Sequence, residues 1–342
     1  MTGRIKIVDY MKAFSILAVV LNHTPVSPQV HTIVYLVCLP AFFFTAGLFA
    51  HTQLSPKDFF LRKTTRLLIP FFFWGIVSWL FWLFIGRKYG SYVNETASWW
   101  YPLLGLISGK TEMLIQNRPL WFLCCLVSLE WIYYLIVRLR RTWVRWLIIL
   151  CVGAFGCALS YWRQNWIWEI SAACIILPLY AFSAEYGLWI KDKVQSYGPW
   201  GWLVGILLSV IGIAVGVIYN GGIGLHDSYI GNPLIYYLSC VSVVGLWLFV
   251  SLYIDRFISH TQWLQYIGQN TLFILCAHMM SFSVIKGIAL LCHISLDFFE
   301  TGLGCVCLWA GSLALLLPAV YVINRYCPWI LGKRKSTPLS AS

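Results

Sequence analysis

The chain has 342 residues, of which 60% are apolar and only 11% charged, with a mean hydropathy of +0.76. Soluble domains carry about 25% charged residues, so a water-soluble fold is excluded for want of charge to cover its surface. A net charge of +12 would suit a nucleic-acid partner, but the basic residues sit in short clusters between apolar runs, which is a membrane-topology pattern and argues against nucleic acid.

The apolar runs are roughly 18 to 25 residues long, enough for a helix to cross about 30 Å of hydrocarbon. They predict an all-α, polytopic bundle of about ten transmembrane helices at 7–24, 31–50, 65–86, 118–137, 143–161, 168–190, 200–219, 232–254, 264–291 and 301–325. No long polar stretch interrupts them. Residues 1–335 therefore read as a single transmembrane domain and 336–342 as a short cytoplasmic tail.

In the first span, Arg4, Lys6 and Lys12 precede an apolar core from Ala13 to Leu21, as in a secretory signal. Asn22, His23, Thr24 and Pro25 follow where a small-residue cleavage site would stand, so the segment is expected to remain as a helix. Asp9 and Lys12 lie 14 and 11 residues before His23, close to whole helical turns, so all three share a face. His23 falls about 16 Å beyond Lys12. Lys12 can snorkel and pair with Asp9; His23, beside Asn22 at a helix end, has the intrinsic acidity for proton transfer.

Before the third span, Arg62 and Arg66 are four apart and share a helical face, with Lys57 and Lys63 nearby. They read either as an ordinary anchor on anionic headgroups or as a clamp for the phosphates of a nucleotide-bearing donor. Arg118, Pro119, Leu120, Trp121 and Phe122 open the fourth span and are candidates to line a cavity. Glu130, Glu169 and Glu185 lie in or near spans, where each either orients a histidine or bonds a neighbouring helix.

The ninth span opens with Gly268, Gln269 and Asn270, and Thr271 stands seven residues before His278 on one face. Taken as one helix from Leu264, the span puts His278 about 21 Å along its axis, at the level expected of His23. Ionisable groups inside a span cost several kcal/mol and mark function when they persist. Two histidines at one depth are therefore the leading candidates for a shared site.

Alternating the loops puts 18 of the 24 basic residues on one side, which the positive-inside rule makes the cytoplasm, with both termini there. Arg87, Lys88, Lys110, Arg118, Arg163 and Lys286 fall on the other side. The 12 cysteines lack zinc or disulfide spacing and read as packing residues, so no metal is expected. Trp99, Trp100, Trp200 and Trp202 mark span ends.

The run Arg4-Ile-Lys-Ile-Val-Asp9-Tyr-Met-Lys12, continuing to Asn22-His23, resembles the opening signature of membrane acyltransferase family three, in which a basic residue precedes an essential histidine by eleven positions. The resemblance continues through Pro40-Ala-Phe-Phe-Phe-Thr-Ala-Gly47, Arg62 and Arg66 before Pro70, Leu120-Trp121-Phe122-Leu123, and Gly268-Gln-Asn270-Thr271 leading to His278. Lys12 stands where arginine is commonest, as in the fucose O-acetylase-like branch, and Thr45-Ala46 replace a small hydroxyl before Gly47. What the resemblance implies is an O-acyltransferase of the bacterial cytoplasmic (inner) membrane, moving acetyl from cytoplasmic acetyl-CoA to a hydroxyl of a surface glycan or lipid-linked sugar. Acetyl-CoA would be a co-substrate, with no bound cofactor. His23 and His278 would be catalytic and Lys12, Arg62 and Arg66 donor-binding. Asp9, Asn22, Arg118, Trp121, Asn270 and Thr271 would line the site, and membrane lipids would surround it. Two alternatives remain: a transporter or flippase of glycan precursors without covalent chemistry, and a binding or assembly protein of the same architecture.

Overall fold

A computed structural model describes residues 5–87 and 96–333. Arg4 of the opening signature, the outer-side Lys88, the inner-side Arg334 and Lys335, and the expected tail 336–342 lie outside the described residues. Within them the chain is helical, without a β-strand, and carries one isolated bridge between Gly224 and Tyr229. The helices are α1 (Lys6–Asn22), α2 (Pro28–Cys38), α3 (Pro40–Gly47), α4 (Pro56–Lys63), α5 (Ile69–Phe81), α6 (Tyr101–Ser108) and α7 (Trp121–Val137). The second half adds α8 (Thr142–Tyr161), α9 (Ile170–Gln195), α10 (Gly198–Tyr219), α11 (Pro233–Phe257), α12 (Gln262–Gln269), α13 (Thr271–Leu291) and α14 (Gly302–Tyr326).

Among the described residues, nine helical segments of 18 residues or more are apolar enough to cross a membrane. The first span is α1, whose 17 residues extend about 25 Å, the short end of what a bilayer needs. It is also the bundle's axis: α1 packs against α2, α3, α11, α12, α13 and α14, and most of its side chains are buried. By contrast α8 and α10 bury only 22% and 28% of their apolar windows and turn the rest toward lipid. Small residues let the outer helices approach: a Cβ at Gly212 of α10 would stand 2.0 Å from Ser242 Oγ of α11, a close contact of the kind that replaces hydrophobic driving force inside a bilayer.

Two spans differ in form from the sequence reading, each for a local reason. The third begins at Pro56, nine residues earlier than expected, because Ser55 caps the backbone N–H of Asp58 and Pro56 starts the turn. It runs unbroken to Gly86, with a π-helical turn over Thr64–Leu68, so Arg62 and Arg66 lie inside the helix rather than ahead of it. The ninth is broken at Asn270 (φ −119°, ψ 19°) into α12 and α13. Gly268 explains where α12 goes: a Cβ there would lie 1.9 Å from the carbonyl oxygen of Asp9, so only glycine lets α12 press onto α1.

The connection between the third and fourth spans folds into the bundle. Leu114, Gln116 and Asn117 are buried, and the Asn117 amide donates to Ser78 Oγ (2.8 Å) on α5 and to the Cys276 carbonyl (2.7 Å) on α13. That pins the segment carrying Arg118 beside the helix that carries His278.

Candidate functional site

A cavity of about 1580 Å³ runs along α1 between two chemically different ends. Lys12, His51, Arg62, Arg66, Gln269 and Lys333 line one end; His23 lies further along; His31, Tyr35, Arg118, Trp121 and His226 line the other. The wall between is apolar, with Phe42, Phe122, Leu272 and Leu275.

Helix α1 stops at His23 because Thr24 is followed by Pro25, which disfavours helical geometry in the residue before it, and Thr24 Oγ1 folds back onto the Leu21 carbonyl (2.8 Å). His23 Nδ1 sits 2.8 Å from the Val19 carbonyl and His278 Nδ1 sits 3.0 Å from the Ile274 carbonyl, each one turn back on its own helix. A carbonyl oxygen only accepts, so each Nδ1 carries the proton and each neutral ring leaves its lone pair on Nε2. The ring centroids are 4.9 Å apart, edge to face. His278 is fully buried behind the wall, and its Nε2, like Asn22 Oδ1, has no hydrogen-bond partner among the described residues. Two buried acceptor atoms beside His23 are thus left without a protein donor among the described residues.

The basic end is knitted together. The Arg62 side chain donates to His51 Nε2, and Lys63 forms a buried ion pair with Glu130 of α7. The pKa of His51 is held well below its ordinary value, at about 4, first by burial and then by Arg62, Lys63 and Arg66, so it is a neutral acceptor at physiological pH. The Lys12 ammonium lies 5.3 Å from the centre of the Phe49 ring.

At the opposite end the Tyr35 hydroxyl bonds His226 Nδ1 (2.8 Å), and His226 Nε2 faces the Asp227 carboxylate (3.2 Å). Burial lowers the His226 pKa, with Asp227 opposing the effect and Arg118 and His31 adding to it. The Trp121 and His226 rings lie 6.0 Å apart, a paired aromatic surface beside the exposed Arg118.

Of the side chains expected from sequence, Lys12, Asn22, His23, Arg62, Arg66, Arg118, Trp121 and Thr271 line this cavity, and His278 touches His23 from behind. Asp9 and Asn270 are not part of the wall. Asp9 accepts from Gln269 Nε2 at 3.4 Å, while Asn270 bonds Tyr266, Asn324 and Lys333. Glu130, Glu169 and Glu185 orient no histidine: they bond Lys63, Thr111 and Trp146. Sequence reasoning missed His51, Tyr35, His226 and the Lys63–Glu130 pair. His51 and His226 are loop residues whose role depends on distant partners, although an in-span Glu130 asks for a cation, and Lys63 was within reach of that argument.

The sequence model of an acyltransferase domain, that of acyltransferase family three, matches residues 5–326. No curated protein and no solved structure matches the chain.

Proposed function

The chain belongs to acyltransferase family three, and from that membership we propose that this multi-pass membrane acyltransferase moves acetyl from cytoplasmic acetyl-CoA to a sugar hydroxyl of a surface glycan or its lipid-linked precursor. The observation that carries the proposal is one continuous cavity with a cationic end and, deeper along it, His23, whose ring meets the buried His278 edge to face. The donor enters from the basic end, where Arg62 and Arg66 take the diphosphate of coenzyme A by charge-assisted hydrogen bonds. His23 lies about 16 Å from Lys12 along α1, a span of the order of the pantetheine arm, so the thioester reaches the histidine while the nucleotide stays at the mouth. The acceptor enters from the end of Trp121 and His226, whose rings offer flat surfaces to a sugar ring.

In the reaction, His23 Nε2 takes the proton from the acceptor hydroxyl as its oxygen attacks the thioester carbonyl. The C–S bond breaks, the new ester leaves with the acceptor, and the imidazolium returns the proton to the thiolate of coenzyme A. His278 packs against the His23 ring and holds it in place. The basic end is the cytoplasmic one, with both termini there, in a bacterial inner membrane.

Radiolabelled acetyl-CoA given to the purified protein with candidate glycans tests this directly. Label appearing in the glycan together with free thiol supports it; transport of an intact glycan without thiol release supports a flippase instead. Arg62→Ala combined with Arg66→Ala is expected to raise the acetyl-CoA KM by about tenfold or more, with the acceptor KM unchanged. An unchanged donor KM overturns the clamp.

A further inference from the structure

Beyond α14 the chain turns back under the bundle as a short strap, Pro328–Lys333. It is built into the basic end rather than trailing from it. Trp329 packs edge-on against Phe73 of α5 with centroids 5.6 Å apart, and Ile330 and Leu331 are buried. The backbone closes on itself through Gly332 N–H to the Trp329 carbonyl (2.9 Å) and Lys333 N–H to the Pro328 carbonyl (3.0 Å). Gly332 has a left-handed φ of +63°, and a Cβ there would lie 2.5 Å from the Thr65 carbonyl oxygen and 2.6 Å from Arg66 Cα. The strap therefore lies directly on the π-helical turn that presents Arg66, a turn type enriched at functional sites.

The next residue, Lys333, is exposed and lines the same end of the cavity as Arg62 and Arg66. Its ammonium is held by two amide oxygens, Asn324 Oδ1 at 2.8 Å and Asn270 Oδ1 at 3.0 Å. Both are neutral acceptors that fix the nitrogen without cancelling its charge. Asn270 is the break between α12 and α13, so one lysine ties the strap, the last span and the helix that carries His278.

Resting on the reading of this end as the donor site, we propose that Lys333 is its third cation and takes the 3′-phosphate of coenzyme A, making the strap part of the donor mouth. The diphosphate and the 3′-phosphate are different targets. Paired arginines suit the diphosphate, whereas a compact ammonium suits a terminal phosphomonoester carrying nearly two charges. The 3′-phosphate also lies at the end of the donor remote from the thioester, and Lys333 is an exposed cation at the rim.

Equilibrium binding of coenzyme A and of 3′-dephospho-coenzyme A to the purified full chain in lipid nanodiscs separates the possibilities. The wild type should prefer coenzyme A by about tenfold. Lys333→Gln should lose that preference while binding dephospho-coenzyme A as the wild type does, and Lys333→Arg should keep most of it. A purely structural role for Lys333 predicts instead that both ligands weaken together and that the melting temperature falls. That outcome, or a Lys333→Gln protein with the wild-type preference, overturns the proposal. A wild type that binds neither ligand overturns the donor reading itself, and the assignment of Lys333 with it.

Discussion

The histidine pair and the basic end belong to one cavity but are built on opposite rules. At the basic end charged side chains are tied to other elements of the fold: Arg62 to His51, Lys63 to Glu130, and Lys333 to Asn270 and Asn324. At the histidine pair each Nδ1 bonds a carbonyl one turn back on its own helix, and His278 Nε2 has no partner among the described residues. Groups that must hold a polyanion gain from a rigid, preorganised cage, because ordering them is then done once, in folding. A group that must exchange a proton gains from an unoccupied lone pair. On the proposed function the contrast divides the work, stability and donor affinity to one region and chemistry to the other, and each half can be broken separately.

The largest expected effect is chemical. His23→Ala should lower turnover by about 10³, within the range for loss of a general base, while the donor KM and the melting temperature move little. Among the described residues the His23 side chain has one hydrogen bond, to its own helix, and its ring otherwise meets only the edge of His278 in a ring contact, so little of the fold depends on it. Turnover and KM measured together on the membrane-inserted variant test the split. A loss that falls mainly on the donor KM would merge the two regions and remove the distinction drawn above.

Much of this was legible in the sequence. Nine of the expected crossings follow from apolar length, with the shorter α1 as the first, and the depth match between His23 and His278 follows from rise per residue, even though α12 and α13 are separate helices. What was hidden depends on pairing at long sequence separation. Asn270 looks like a site residue because it sits in a motif with Thr271, yet its amide is spent on Tyr266, Asn324 and Lys333. Lys63 and Glu130 are 67 positions apart, and only the packing of the third span on α7 makes them a pair.

That pair gives the second prediction. Both side chains are less than a tenth exposed, so removing one partner strands a buried charge. Lys63→Met should cost about 3 kcal/mol of stability, on the order of a hundredfold in the folded population. Adding Glu130→Leu should recover most of it, since a well-packed apolar pair replaces a buried ion pair at little net cost. Thermal unfolding of the two single variants and the double variant in detergent checks this. A double variant as unstable as Lys63→Met would mean that the ion pair is needed for more than mutual neutralisation.

The smallest expected effect lies at His51, where the comparison can be sharpened by pH. Its ring accepts from Arg62, and burial together with Arg62, Lys63 and Arg66 holds it at about 4 rather than the ordinary 6.5. Between those two values the unfolded chain binds a proton at His51 that the folded chain does not. Stability therefore rises with pH from about 4 to 6.5 and is flat above that window as far as this group is concerned. His51→Asn keeps an acceptor for Arg62 but cannot titrate, so its melting temperature should lose that part of the slope while matching the wild type at pH 7. Donor affinity should follow the same course in the wild type, weakening in acid as the protonated ring turns from acceptor to donor and releases Arg62. Equal slopes in the two proteins would show that the ring is not held neutral by the cations, and that Arg62 is positioned by its own helix, α4, alone.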